Sequence, residues 1–422
     1  VFICQVAKYK IWRLLEKNKS KIFIFGLVPI RNVLLSPALR FLYETLCARL
    51  KKIRTNKNMS FLKSIFSTKE EPINSYSDFW NWFEQNEKKF HKVLKDQGNI
   101  NKVFFDRLAP KLNELKDGFW FLAGMYDDNT AELILTADGV IKNIVFVEEL
   151  VKSAPKMNNW KITALKQPSD LNQYGIEMDG FKFDESKMEF YSTDYKQMPD
   201  EIDITITHKD FNEENRAVMT NGIYLALDNS LGELNSVTTI DNVNIINPKD
   251  ATSELISLKK LKDFLNWREK EFVEKYKGFR HNTENDNYSG LEATMKNGLP
   301  LLAVMNMDLL NWDSKASHPW IAVMEIKYDG KDNNGMPNES KYQLLNEIEE
   351  KIIEELKDSD GYLNIGRQTA DSIREVYFAC IEFRKPSKVL HEIKKEYKNK
   401  IELDFDIYKD KYWQSFNRFN SN

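Results

Sequence analysis

The sequence predicts an α+β fold built as two α/β sandwich modules of ferredoxin-like type, each a mainly antiparallel sheet with helices on one face. Three observations carry this expectation. Short apolar runs with a period of two alternate along the chain with longer runs spaced by three and four residues. Asp-Gly and Asn-Gly pairs separate several of these runs, and such pairs tolerate the positive φ angles of a tight reversal. The last third reads ββ-β-α-ββ-α-β, an order that lays helices on one face of a sheet.

The elements follow in order. Ser75 and Asp78 form a capping box ahead of Phe79, Trp80, Phe83, Phe90 and Leu94, which recur at helical spacing. A second helix is expected over residues 102–115, with a kink at Pro110. Residues 119–126 and 131–137 then read as strands around the turn Asp127-Asp128-Asn129. Asp138-Gly139 is expected to close a hairpin with a strand at 140–147. Further strands are expected at 160–165, 181–184 and 187–191. Residues 201–207 alternate cleanly, with Ile202, Ile204 and Ile206 on one face. A helix at 212–227, a short strand at 242–246 and a helix through Leu258, Leu261, Leu265, Arg268, Phe272 and Tyr276 complete this half.

The polar, asparagine-rich stretch 277–287 is expected to be a linker between an N-terminal domain at 59–276 and a C-terminal domain at 288–422. Beyond it, Asn297-Gly298 joins strands at 288–295 and 299–308, and a strand at 321–328 precedes an Asp/Asn/Gly-rich loop at 329–338. Ser340-x-x-Gln343 is expected to cap a helix with the stripe Leu344, Leu345, Ile348, Ile352 and Leu356. Strands at 362–369 and 375–383 flank Asp371-Ser372. A helix at 387–397 leads to a last strand in which Ile401, Leu403, Phe405 and Ile407 alternate with polar residues. The succession of strand, loop and helix after residue 201 echoes that after residue 321, which suggests two related halves.

The formal charge of −3 hides two opposite bodies. Residues 1–58 hold 13 Lys/Arg against Glu16 and Glu44, a net +11, while residues 59–422 hold 48 basic and 62 acidic residues, a net −14. The first 58 residues are therefore expected to be a non-native or disordered, partly helical extension, with translation starting at Met59; a membrane-surface helix at 37–53 is the functional alternative. The longest apolar run there, residues 22–30, is broken by Gly26 and Pro29 and falls far short of the ~20 residues of a span. An acidic main body argues against direct nucleic-acid binding, because phosphates need Lys/Arg neutralisation. Of Cys4, Cys47 and Cys380, only the last follows Met59, which fits a reducing, cytoplasmic setting without a disulfide framework. Cys380 lies in an apolar run and reads as a core residue.

Catalytic and cofactor patterns fail on inspection, and no metal or cofactor is expected. Gly361 to Gln368 has the glycines of a phosphate loop but ends Arg-Gln instead of Lys-Ser/Thr, and its spacer is strand-like. His391-Glu392 opens like a helical zinc motif, yet Lys395 stands where the second histidine belongs. The loop 329–338 does not place oxygens at EF-hand positions. Asp404 and Asp406 read as residues that keep the last strand's outer face or edge soluble. Trp312, Trp320 and Trp413 read as core, with an aromatic contact surface as the alternative. Arg367 and Arg374 are the interaction candidates: both flank the hairpin turn at Asp371-Ser372, and a guanidinium pair can grip a carboxylate or phosphate bidentately. The competing reading pairs them with local acids such as Asp371 or Glu375.

Several of these segments carry a resemblance. Asn297-Gly298-Leu299-Pro300, His318-Pro319-Trp320, Glu347-Ile348-Glu349, Gly366-Arg367-Gln368-Thr369 and Arg374-Glu375-Val376-Tyr377-Phe378 together resemble the bacterial family called domain of unknown function 695. Asp410, Trp413, Phe416 and Phe419 resemble its closing segment, without the proline that usually comes after it. The likeness covers residues 288–420, about a third of the chain. Residues 59–276 resemble the companion region of longer members. The family has no established chemistry. In some members such a domain accompanies one like regulator of ribonuclease E activity B, a small acidic α+β inhibitor protein. The resemblance therefore implies a regulatory, protein-binding role. The expectation is a bacterial, cytoplasmic, non-catalytic interaction module whose partner is a protein with a basic surface. A hydrolase or small-ligand-binding enzyme with a site assembled from scattered polar residues is the alternative.

Overall fold

The computed structural model describes residues 24–25, 71–171 and 176–419. The expectations for residues 1–58 and for a start at Met59 lie outside these residues. The described residues divide into two compact units, one with residues 71–133 and 153–161, the other with residues 134–152 and 162–419. The fold is α+β, and among the described residues no helix is long and apolar enough to cross a membrane.

In the first unit, helix α1 (Tyr76–Lys95) starts where expected: the Ser75 hydroxyl accepts the Asp78 backbone N–H at 3.1 Å. Its inward face carries Phe79, Phe83 and Phe90, which meet Phe104 and Trp160 in an aromatic core, with Phe90 and Phe104 stacked at 4.6 Å. Residues Asn101–Phe105 form a π-helical turn that runs directly into α2 (Asp106–Leu115), and Pro110 lies inside that helix. Strands β1 (Trp120–Met125) and β2 (Ala131–Thr136) flank a turn in which Asp127 accepts the N–H groups of Asn129 and Thr130.

The hairpin expected at Asp138-Gly139 is corrected. Both residues do have positive φ, 53° and 79°. The chain nevertheless leaves them as helix α3 (Ile141–Lys152), not as a strand. Thr136 Oγ1 accepts the Asp138 N–H, and the fully buried carboxylate of Glu233 accepts the Gly139 N–H at 2.9 Å, so the reversal is held by a distant residue and not by a partner strand. The β-branched run misleads; its length and the three-residue spacing of buried Ile144, Val147 and Leu150 are helical.

Strand β3 (Trp160–Ala164) leads to a small hairpin of β4 (Ile176–Met178) and β5 (Phe181–Phe183), of which the sequence disclosed only the second strand. In the second unit, strands β6 (Met188–Tyr195) and β7 (Met198–His208) pair antiparallel. Helix α4 (Arg216–Leu231) begins four residues later than expected, because Asn212 and Asn215 accept each other's backbone N–H groups and close a turn first. After the short α5 (Glu233–Thr238), β8 (Asn242–Ile246) lies parallel to β7. With β9 (Ile256–Ser257) the sheet order is β9-β6-β7-β8, and Ile202, Ile204 and Ile206 face a core shared with α4 and with Leu261 and Leu265 of α6 (Leu261–Tyr276).

The last sheet has six strands: β10 (Tyr288–Thr294), β11 (Pro300–Asn306), β12 (Trp320–Lys327), β13 (Tyr362–Ala370), β14 (Ile373–Cys380) and β15 (Glu402–Lys409). Their order is β10-β11-β13-β14-β12-β15, and every neighbouring pair is antiparallel. Here the strand after the helix is separated from β12 by β14, whereas β8 lies directly beside β7. Strand order therefore differs, and the expectation of two related halves fails. Helix α7 (Met307–Leu310) comes after β11, α8 (Glu339–Glu355) joins β12 to β13, and α9 (Arg384–Glu396) joins β14 to β15. The cap of α8 is also corrected: Asn338, not Ser340, accepts the N–H of Lys341, and the Ser340 hydroxyl donates to the Asn338 side chain. Capping by Asn338 starts the helix two residues earlier than a Ser340 cap would.

One charged network ties the two sheets of this unit together. Asp241 holds Lys409 and Lys411, each at 2.8 Å, and all three side chains are largely buried. Asp200 accepts from Tyr276, Tyr412 and Lys275.

Candidate interaction surface

The six-stranded sheet has two faces, and its register assigns each candidate to one of them. Arg374 pairs across β13–β14 with Thr369, and Arg367 with Val376, so both arginines point to the helical face. Arg374 is only 2% exposed. Its Nη1 donates to Asn346 at 2.8 Å and lies 3.6 Å from Glu349 Oε2, its Nε donates to Thr369 Oγ1, and its guanidinium sits over Tyr342. Arg367 Nη1 donates to Glu349 Oε1 at 2.9 Å. The expected acid partners are corrected: Glu349 of α8 serves both arginines. Glu375 projects from the opposite face, and Asp371 sits in the turn, where it accepts from Asn297. Burial pushes the Arg374 guanidinium down and Glu349 opposes the shift.

The opposite face is apolar at one end and acidic at the other. Ile321, Val323, Tyr377, Ala379, Leu363 and Met305 pack against Trp413, Phe416 and Phe419. One row further along, Glu325 stands directly across from Glu375 on β14 and from Asp404 on β15. Asp406 lies in the next row. Glu375 accepts from Gln368 at 2.9 Å and from the Tyr377 hydroxyl at 2.8 Å. Lys394 bonds Asp404 at 2.8 Å, and Lys142 of α3 comes within 4.0 Å of Asp404 and 3.8 Å of Asp406. Glu325 has no such counter-ion within bonding distance among the described residues; burial, Glu375 and Asp404 raise its carboxyl above the usual range. Burial likewise raises Asp406, while Lys394 and Lys142 hold Asp404 down despite its burial. Among the described residues no three of His, Cys, Asp or Glu are spaced to hold a metal ion. Sequence reasoning placed Asp404 and Asp406, took Glu375 as a possible partner of the arginines and missed Glu325. The signal was an acid inside an otherwise apolar strand, Ile321-Ala-Val-Met-Glu325-Ile326.

The remaining candidates are structural. Residues 362–370 are strand, so Gly361 to Gln368 forms no phosphate loop. His391 rests edge-on against Phe146, and Lys395 pairs with Glu392. Trp413 and Trp320 are buried, and Trp413 Nε1 donates to the His318 carbonyl at 3.0 Å. Cys380 is buried, which raises its thiol well above the ordinary value.

His318 gives the fold a pH dependence. It is fully buried beside Trp312, its Nδ1 meets the Ser317 hydroxyl, and its Nε2 has no hydrogen-bond partner among the described residues. Burial, with Arg280 and His281 adding to it, pushes the ring down to about 3 from 6.5. The folded state therefore resists a proton that the unfolded state accepts. Stability should be complete above pH 6.5 and fall as pH drops toward 3, by about 4–5 kcal/mol from this ring alone. Urea midpoints at pH 7 and pH 4 should diverge less in His318→Phe than in the wild type. An equal divergence would remove His318 as a cause.

Fold and register together define an α+β protein whose last sheet turns Arg367 and the buried Arg374 toward its helices and carboxylates toward its other face. Residues 293–420 match the family of unknown function DUF695, within the span where the sequence resembles that family. No curated protein and no solved structure matches the chain.

Proposed function

We propose that the chain is a non-catalytic protein-interaction module, regulatory in effect, which presents the acidic face of its last sheet to a partner with a basic surface. The carrying observation is Glu325, set in register between Glu375 and Asp404. Like charges directly across neighbouring strands are destabilising, by up to ~1 kcal/mol per pair. A sequence that keeps three of them abreast concentrates a negative potential that steers and orients a cationic surface. The same potential disfavours nucleic acid as a direct ligand. A reducing bacterial cytoplasm is the setting this reading assigns, since Cys380 is the only cysteine after Met59. We also read β12-α8-β13-β14-α9-β15 as a ferredoxin-like unit; the support is its strand order, β13-β14-β12-β15.

Glu325→Lys tests the proposal. It places a cation between two acids, so the folded protein should gain roughly 0.5–1 kcal/mol in urea unfolding. At the same time it should lose a basic protein that the wild type retains from a bacterial lysate. Retention of the same protein by wild type and variant, or turnover of a small molecule without any partner, would overturn the reading.

A further inference from the structure

A hollow of about 440 Å³ opens where β12 ends, lined by Lys327, Tyr328, Lys331, Lys341, Ser372 and Lys400, with Asp329 and Glu402 as its only acids. Lys327 is taken by Glu402 at 2.8 Å. Lys331, Lys341 and Lys400 make no ion pair among the described residues. The unpaired three come from separate places: the loop after β12, the first turn of α8 and the reversal before β15.

Their approach is enforced. The Tyr328 hydroxyl and the Ser372 N–H both donate to the Gly335 carbonyl, at 2.9 and 2.8 Å. The Gly330 N–H donates to Ser372 Oγ. Gly335, at φ +79°, passes so near Asp371 that a Cβ would lie 2.9 Å from its Cα, so the loop is clamped on the hairpin turn. Asn338 fixes Lys341 by capping α8. Behind this wall the buried Arg374 acts on Tyr328, holding its hydroxyl lower than burial alone would. Four lysines and two acids thus line this hollow, in a main body of net charge −14.

Gathering like charges on a rigid frame is unfavourable unless an anion completes it. We infer that the hollow binds a phosphate-type polyanion, with the lysines as point charges around it and Ser372 able to donate to an oxygen. The volume suits a diphosphate or a somewhat larger group. The phosphate can be free or borne by a protein side chain. The hollow borders the acidic row, since Lys327 follows Glu325 on the same face of β12 and is raised by Glu402, Glu325 and Asp404; the three other lysines belong to the hollow alone.

Calorimetric titration of the full chain with inorganic pyrophosphate, and separately with a phosphoserine peptide, tests the inference. Binding of pyrophosphate should weaken at least tenfold in Lys331→Gln/Lys341→Gln, whose unfolding midpoint should stay unchanged because neither side chain makes an ion pair that folding depends on. It should also weaken as salt rises from about 50 to about 200 mM. Binding of the peptide alone, with the same dependence on the two lysines, would support a protein-borne phosphate. No binding of either, or binding indifferent to the two substitutions, would overturn the inference. Glu325→Lys should leave the titration undiminished, so failure of the acidic-face reading registers separately.

Discussion

Glu349→Ala should destabilise the chain by about 3–5 kcal/mol, enough to abolish the last sheet's cooperative unfolding near physiological temperature. The size comes from burial. Removing Glu349 leaves Arg374, at 2% exposure, with a full positive charge and only neutral partners: Asn346, the Thr369 hydroxyl and the Tyr342 ring. It also takes away the carboxylate to which Arg367 donates. An uncompensated buried charge is far more costly than the pair is favourable. Glu349→Gln keeps an acceptor for Arg367 and should lose less. Adding Arg374→Met to Glu349→Ala should recover much of the loss, since the stranded cation goes with it and Met fills the space. Urea unfolding of the three variants, monitored by tryptophan fluorescence, gives the comparison. A loss under about 1 kcal/mol for Glu349→Ala would mean that solvent reaches Arg374.

The second large effect is expected at Asp241→Ala, again about 3–5 kcal/mol at pH 7. Asp241 neutralises Lys409 and Lys411 where the two sheets of the larger unit meet. Burial pushes the Lys409 ammonium down to about 8 in spite of Asp241. The native state thus holds fewer protons than the unfolded chain between pH 8 and the ordinary lysine value of about 10.4, so stability from this group rises with pH through that window. Without Asp241 the window opens at lower pH. The variant should therefore regain more stability between pH 7 and 9 than the wild type does. A pH-independent deficit would show that the carboxylate matters for packing alone.

How much of this was legible in the sequence depends on distance along the chain. Strands β10 to β15 were all foreseen, with ends shifted by a few residues: 375–383 was expected where Ile373–Cys380 is found, and only β15 alternates cleanly between buried and exposed residues. Asp371 and Ser372 take the positive φ of 45° and 69° that their hairpin turn needs. Helix α3 was misread because Glu233, 94 residues away, sets the direction in which the chain leaves Gly139. The arginines were singled out, but Glu349 was not named as their acid partner. Glu349 lies 18 residues before Arg367, and nothing local links the two. The acidic row was invisible for a related reason: Glu325, Glu375 and Asp404 become neighbours only once register is fixed. The lysine hollow likewise gathers residues from separate elements that share no motif.

The inward aim of Arg367 rests on a β-bulge that takes Ile365 out of the ladder. Strand β13 carries a bulge between Asn364 and Gly366. Before it, odd-numbered Leu363 faces the open side; after it, even-numbered Gly366 and Gln368 do. Gly366 sits there at φ +136°, where a Cβ would collide with the Val304 carbonyl oxygen, so only glycine passes. Excising Ile365 would remove the bulge and leave the other pairings as they are, so Arg367 and Thr369 would still face the helices. Straightening the strand with Ile365 kept in the ladder would instead turn Arg367 and Thr369 to the acidic side and leave Gln368 to meet Glu349. A bend of one residue in the backbone thus decides which chemistry each side of the sheet presents, with no change in composition.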